Sequence, residues 1–303
     1  MSFTVTVKNE LVSTDRLKTE IISELSAILR NNAEISNIIK INTENALLAK
    51  FIYKSIKELY NLNIKITVRK GYNFNKNYIY ILEIKKEIDK LIKELSFDNE
   101  IPSSFLYADD DLARAYLRGA FLSCGSINDP KTSRYHLELV MDEEKYAEFI
   151  NERIMKYRLN SKLIKRDSKY MVYIKEAEKI SDFLKLIGAN NAVMYYENIR
   201  IYRDKKNMTN RLNNCEQANV DKVIGTCDKQ IKAIKALMET DTFDLLDEKL
   251  KEVSEYRLKY PETSLLELAE IISIETENKI TKSGLHHRFK KIEKQAEKVR
   301  STL

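Results

Sequence analysis

Breakers and cysteines are scarce in this chain. Its 303 residues include three prolines, six glycines and three cysteines. So few breakers predict long helices and clean strands, with Pro102, Pro130 and Pro261 marking connectors. The cysteines, Cys124, Cys215 and Cys227, are odd in number, and a reduced, cytoplasmic location is expected. Grouping Cys215 and Cys227 with His286 and His287 fits no standard zinc spacing. His136 is the only other histidine, so no cysteine–histidine nucleophile is evident. No run approaches the roughly eighteen apolar residues of a membrane-spanning helix, and no membrane partner is expected. The opening M-S-F-T-V-T-V-K-N-E alternates apolar and polar residues. It lacks the basic start and apolar run of a signal peptide, and none is expected.

What is present suits a globular chain long enough for two domains, with 43% apolar and 32% charged residues. The net charge of +6 is modest and fits solubility as well as binding. Its distribution is uneven: residues 282–300 hold seven basic side chains against two acidic ones, a local charge of +5. Hydrophobic periodicity then gives two similar halves. In the first, residues 14–30 read as a helix, followed by a strand at 35–41 and a helix at 43–60. Strands at 64–68 and 78–84 close that half. In the second, Asp109 or Asp110 caps a helix running through Leu122, and strands flank the turn N-D-P-K-T-S. A helix at 142–158, strands at 162–165 and 170–175, and a helix at 177–187 stopped by Gly188 complete it. Residues 191–214 read as a long polar, Tyr-rich helix, and 211–222 as an ordered linker. Helices follow at 220–238 and 243–259. Another, opened by the capping-box sequence Ser264-Leu265-Leu266-Glu267, runs through Ile272. After a connector at 273–280, Thr281 or Ser283 starts a last, basic helix.

Residues 117–125, L-R-G-A-F-L-S-C-G, resemble the LAGLIDADG motif of homing endonucleases in its packing positions, with Leu117, Gly119 and Gly125 kept. A degenerate copy, L-S-A-I-L-R-N-N-A, lies at 25–33. Ala27 stands there at the first glycine and Ala33 at the last. Small residues at these places let two helices approach closely and form a central seam. In those nucleases the motif's last acid holds the catalytic metal; here Asn32 and Cys124 stand at that position. Magnesium takes hard oxygen ligands, usually with a carboxylate among them, and an amide and a thiol do not replace two carboxylates. No catalytic residue, metal or cofactor is therefore expected, and the chain is read as a non-enzyme. Asp129 and the Asp109-Asp110-Asp111 run leave an unconventional metal site as the alternative, against a turn residue and a helix N-terminal acidic cluster.

The capped helix at 264 and the basic helix after it make a helix-turn-helix candidate. Leu285, Phe289 and Ile292 are spaced for burial. Ser283, His286, His287 and Arg288 are the candidates for base contact, and Lys282, Lys290, Lys291 and Lys294 for phosphate. A solvated basic face on a plain three-helix bundle fits the same residues. Lys65, Thr67, Arg69, Lys162 and Lys165 are candidates for a second, sheet-borne DNA surface; a solvated sheet face fits them equally.

Further segments are A-Y-L-R-G-A-F-L-S-C-G-S-I-N-D-P with Y-H-L-E-L, N-C-E-Q-A-N-V-D-K, Y-P-E-T-S-L-L-E-L-A and I-T-K-S-G-L-H-H-R-F-K-K-I. With them the chain resembles the WhiA family of bacterial regulators along nearly its whole length. Ala33, and the adjacent histidines that include His287, are local departures. The resemblance implies an α+β architecture: a duplicated LAGLIDADG homing-endonuclease-like domain followed by an all-α helix-turn-helix domain. The expected limits are 1–105 and 106–190 for the two halves, 191–219 for a helical linker and 220–303 for the last domain. It implies a sequence-specific regulator binding double-stranded DNA in the cytoplasm, nucleoid-associated, and tied to cell division, chromosome segregation or sporulation. A scaffold for transcription or cell-division proteins, or an active endonuclease, are the alternatives.

Overall fold

The computed structural model describes residues 2–70, 78–132, 134–240 and 242–300, apart from the side chain of Arg300. Ser133 of the Pro130 turn, Arg300 of the basic run and residues 301–303 of the last domain thus fall wholly or partly outside it. The chain divides into two compact units, Met1–Arg203 and Asp204–Leu303.

The first unit opens with helix α1 (Phe3–Val12). This stretch alternates in sequence, yet Phe3, Val7 and Leu11 are spaced four apart and all three are buried. Burial of that stripe outweighs the strand preference of its β-branched residues. Helix α2 (Lys18–Asn32) begins four residues later than the periodicity predicts. The single strand expected at 35–41 is two strands, β1 (Ala33–Ile35) and β2 (Ile39–Thr43), joined by a tight reversal. Helix α3 (Ala46–Tyr60), strands β3 (Ile64–Lys70) and β4 (Tyr78–Ile84) and helix α4 (Ile88–Glu94) complete the half. Helix α4 has no counterpart in the sequence reading.

The second half repeats the order. Helix α5 (Asp110–Cys124) is capped by Asp109, whose carboxylate accepts the Leu112 N–H at 2.8 Å. Strands β5 (Gly125–Ile127) and β6 (Leu137–Met141), helix α6 (Glu144–Lys156), strands β7 (Lys162–Arg166) and β8 (Lys169–Ile174) and helix α7 (Ala177–Leu186) follow. Gly188, at φ +86°, takes the left-handed conformation that ends α7. Both sheets are four-stranded and antiparallel with the same order, β1-β2-β4-β3 and β5-β6-β8-β7. The fold is the duplicated α+β arrangement the motif copies imply.

Helices α2 and α5 form the seam, and each is buried around most of its circumference. A Cβ on Gly119 would come within 2.5 Å of the Glu24 carbonyl oxygen and 3.0 Å of the Ala27 Cβ. Glycine here and alanine opposite are thus what lets the backbones meet. At one end of the seam the buried Glu24 carboxylate is shared by Arg16, at 2.7 Å, and Arg118. At the other, Asn31 of α2 donates to the Ser123 hydroxyl of α5 at 3.0 Å.

Helix α8 (Asn190–Glu239) is continuous, so the segment read as a linker is helical throughout. Its first N–H groups, on Asn191 and Ala192, donate to the Glu10 carboxylate of α1 at 2.6 and 2.9 Å. Residues 204–222 are exposed on every side. In the second unit, α8 is followed by α9 (Glu248–Lys259), α10 (Leu265–Glu275) and α11 (Lys282–Arg300). Helix α9 starts later than the predicted 243, behind a 3₁₀ turn at Phe243–Leu245. Ile234, Leu237, Leu250, Val253, Leu268, Ile272, Leu285 and Phe289 belong to one all-helical core.

Candidate nucleic-acid interface

Helices α10 and α11 are local consequences of their caps. The Ser264 hydroxyl accepts the Glu267 N–H at 3.3 Å, while the Glu267 carboxylate accepts the Ser264 N–H at 3.0 Å. The predicted capping box is therefore formed, and Glu267 is held below the usual carboxylate range by these contacts with Ser264. Helix α10 runs three residues past the predicted Ile272, because Ser273 satisfies groups on both sides of the turn. Its hydroxyl donates to the Ala269 carbonyl at 2.6 Å and accepts the Ile280 N–H at 3.0 Å. Thr281, rather than Ser283, caps α11 by accepting the Gly284 N–H at 3.1 Å.

Leu285, Phe289, Ile292 and Ala296 are the buried stripe of α11. Beneath Phe289, at 5.4 Å from its ring centre, lies the guanidinium of the fully buried Arg257. That group donates to Gln230 at 3.0 Å and to the Thr263 carbonyl at 2.6 Å, tying α8, α9 and the loop before α10 to the base of α11. At about 100° per residue, Lys282, His286, Lys290, Ser283, Lys294, His287 and Lys291 fall within one half of the helix circumference. All seven are exposed. Arg288 lies off that arc, half-buried, with its guanidinium 3.7 Å from Glu252 of α9. The sequence grouped it with the base-contact candidates; the structure holds it against α9 instead. Glu293, on the same half beside the buried stripe, is paired with Lys229 of α8 at 3.1 Å, which offsets its charge, while Glu297 is exposed within the arc.

The sheet-borne candidates divide by register. Lys65, Thr67 and Arg69 pair with Glu83, Ile81 and Ile79, so they share the face of their sheet opposite the buried Leu82 and Ile84. Lys162 pairs with Tyr173, but Lys165 is three residues away and therefore on the other face. There it sits beside Leu163, which pairs with the buried Val172, and its ammonium is 5.3 Å from the Tyr170 ring centre. Lys165 is removed from the candidate surface, and the two-residue period puts Arg166 with Lys162 in its place. The same faces carry acids: Glu34 and Glu83 on the first sheet and Glu138 on the second.

At the end of the seam the two motif positions differ. Cys124 is packed against the core and donates its thiol to the Ala120 carbonyl at 3.2 Å. Burial pushes that thiol up to about 11, so it is neutral near pH 7. Asn32 lines a cavity of about 600 Å³ beside Ser123 and Asn42. Lys8 of α1 lines it too, and sequence reasoning missed this residue because nothing in the local pattern distinguishes it from a solvated lysine. Asp129 and Asp109 take the bland roles. Asp129 accepts the Lys131 N–H in the Pro130 turn at 2.9 Å, and Asp109 is the α5 cap. No group of three or more metal-ligating side chains occurs among the described residues. No helix there is long and apolar enough to cross a membrane.

Three family models match in sequence order. Residues 18–98 match the WhiA N-terminal LAGLIDADG-like domain, 113–206 the WhiA LAGLIDADG-like domain, and 209–296 the WhiA C-terminal HTH domain. A probable cell division protein WhiA of Staphylococcus aureus (strain USA300) is 40% identical over 312 residues, covering 99% of this chain and 98% of that one. A protein of the same name from Staphylococcus haemolyticus (strain JCSC1435) matches to the same extent. Among solved structures, full-length DUF199/WhiA from Thermatoga maritima has a TM-score of 0.59 at 26% identity, covering 98% of this chain and 99% of that one. The N-terminal LAGLIDADG domain of DUF199/WhiA gives 0.50 at 25% identity, covering 62% of this chain and 92% of that one. A seam of two degenerate motif helices, a capped helix-turn-helix and these full-length likenesses agree: the chain belongs to the WhiA family.

Proposed function

We propose that this protein is a sequence-specific, double-stranded-DNA-binding transcriptional regulator with no nuclease activity, and that α11 is its recognition helix. The observation that carries this is the half-circumference of α11 occupied by Lys282, Ser283, His286, His287, Lys290, Lys291 and Lys294, all exposed above a buried stripe. Short polar and imidazole groups near the helix start suit base edges, and the lysines suit phosphates. The seam supports binding without cutting, since an amide and a thiol kept neutral by burial stand where two carboxylates would hold metal. The proposed domain limits remain 1–105, 106–190, 191–219 and 220–303, the last boundary falling inside helix α8. Cell division is the process proposed, from the name its relatives carry; chromosome segregation or sporulation follows from the family resemblance alone. A nucleoid-associated, cytoplasmic location accompanies that reading.

Mapping bound sites genome-wide and then measuring affinity for the recovered sequence tests it. Replacing His286 and His287 by alanine is expected to cost about 1–3 kcal/mol on the preferred sequence and little on random duplex. Replacing Lys290, Lys291 and Lys294 weakens both alike. Supercoiled plasmid incubated with magnesium or manganese stays intact; nicking by the purified chain sinks the nuclease-free reading.

A further inference from the structure

The cavity at the end of the seam contains a cation with no ion-pair partner among the described residues. Lys8 is half-buried on α1, and its ammonium has no carboxylate or hydrogen-bond acceptor among the described residues. Its ammonium lies 5.9 Å from the Phe121 ring centre, and the group that acts on it electrostatically is the Cys124 thiol, which burial keeps neutral. Removing an ammonium from water without an anion is costly, so the site favours any anion that can enter. Two further donors line the same space, the amides of Asn32 and Asn42, and neither has a hydrogen-bond partner among the described residues. One carboxylate, Glu44, also lines it, and that group has an interaction of its own. At about 600 Å³ the cavity has the size of ordinary small-molecule sites. Asn42 and Ile79 of its lining belong to the sheet face that bears Lys65, Thr67 and Arg69. A phosphate of a strand lying on that face and a free phosphate ester both meet the same donors.

We propose that this cavity is a phosphoryl-anion site in which Lys8 supplies the charge and the Asn32 and Asn42 amides supply flanking hydrogen bonds. A tetrahedral oxyanion has enough acceptor positions for three donors spread around one space, and charge-assisted bonds from ammonium to phosphate are the strong kind. The site goes beyond base reading by α11 and stands whether or not that helix reads DNA.

Limited acylation of the full-length chain, with peptide mass spectrometry, reads Lys8 directly against the exposed Lys18 and Lys50. Inorganic phosphate or adenosine monophosphate is expected to slow Lys8 modification several-fold, while sodium chloride of equal ionic strength does not. Protection by a DNA duplex alone would assign the site to backbone phosphate. That arm is repeated with Lys290, Lys291 and Lys294 replaced by alanine, so that occupancy of α11 is not mistaken for the cavity. No protection by any of the three probes overturns the proposal. Calorimetry with the protecting probe gives the second test. Lys8→Met and Asn42→Asp should each weaken binding about tenfold or more, and Lys8→Arg should retain most of it. Glu44→Gln should bind as well or better. Undiminished binding by Lys8→Met, or loss of binding in Glu44→Gln, rejects the anion site.

Discussion

Lys8 is held near 8, well below the ordinary lysine value, because burial takes its ammonium out of water and Cys124 offers little in return. The unfolded chain therefore binds this proton more tightly than the native one. Below about pH 8 both states are protonated and the native state carries the full cost. Between about 8 and 10.5 the native chain has released the proton and the unfolded chain still holds it, so wild-type stability gains as pH rises. Lys8→Met is expected to be the more stable protein at pH 7, by about 1–2 kcal/mol. Denaturant melts at pH 7 and pH 10 check this: the advantage should shrink at the higher pH, and a constant difference would contradict it. None of this was legible locally, since a lysine in an amphipathic helix looks the same whether its tip meets water or a seam.

At the scale of elements, the seam is the part the sequence specified most closely. Gly119 and Ala27 were readable as small residues where two helices touch, and the 2.5 Å clearance to the Glu24 carbonyl shows how little room remains. Gly119→Ala should cost about 1–3 kcal/mol, although alanine is the better helix former, because α2 must be pushed away from α5. Thermal unfolding of that variant measures it; a neutral or stabilising outcome would mean that the helices can separate freely. The strands show where local reading stops. Periodicity located β3, β4 and β7, but which lysine shares a face with which is a matter of parity. Lys162 and Lys165 are close in sequence and on opposite sides of one sheet. Helix α1 was missed for a related reason: Phe3, Val7 and Leu11 fit a helical stripe, while the residues between them fit a strand, and only the core they enter chooses.

For the whole molecule, charge is unevenly placed and its sign depends on the surface considered. The exposed arc of α11 holds Lys282, Lys290, Lys291 and Lys294 together with Glu297, and Glu293 is paired with Lys229. The sheet faces mix Lys65, Arg69 and Lys162 with Glu34, Glu83 and Glu138. DNA affinity should therefore fall with salt at a log–log slope of about −3.6, the value for four phosphates. Replacing Lys65, Arg69 and Lys162 together should change that slope by less than about one, whereas Lys290→Ala and Lys291→Ala should each reduce it by about one. Anisotropy titrations from low to moderate salt decide it, and a large drop on the sheet variant would make those faces a DNA surface after all.

The sequence by itself determined the architecture: two degenerate motif copies, paired sheets and a capped, basic terminal helix pair. Those features follow from spacing, small residues and caps, each set within a few neighbouring positions. Tertiary structure alone decided what each charged group meets. It turned Arg288 to Glu252, placed the fully buried Arg257 under Phe289, and left Lys8 lining a cavity with no ion-pair partner among the described residues. The reason is physical: burial and electrostatic partners come from residues far apart in the chain, and a local pattern carries no record of them.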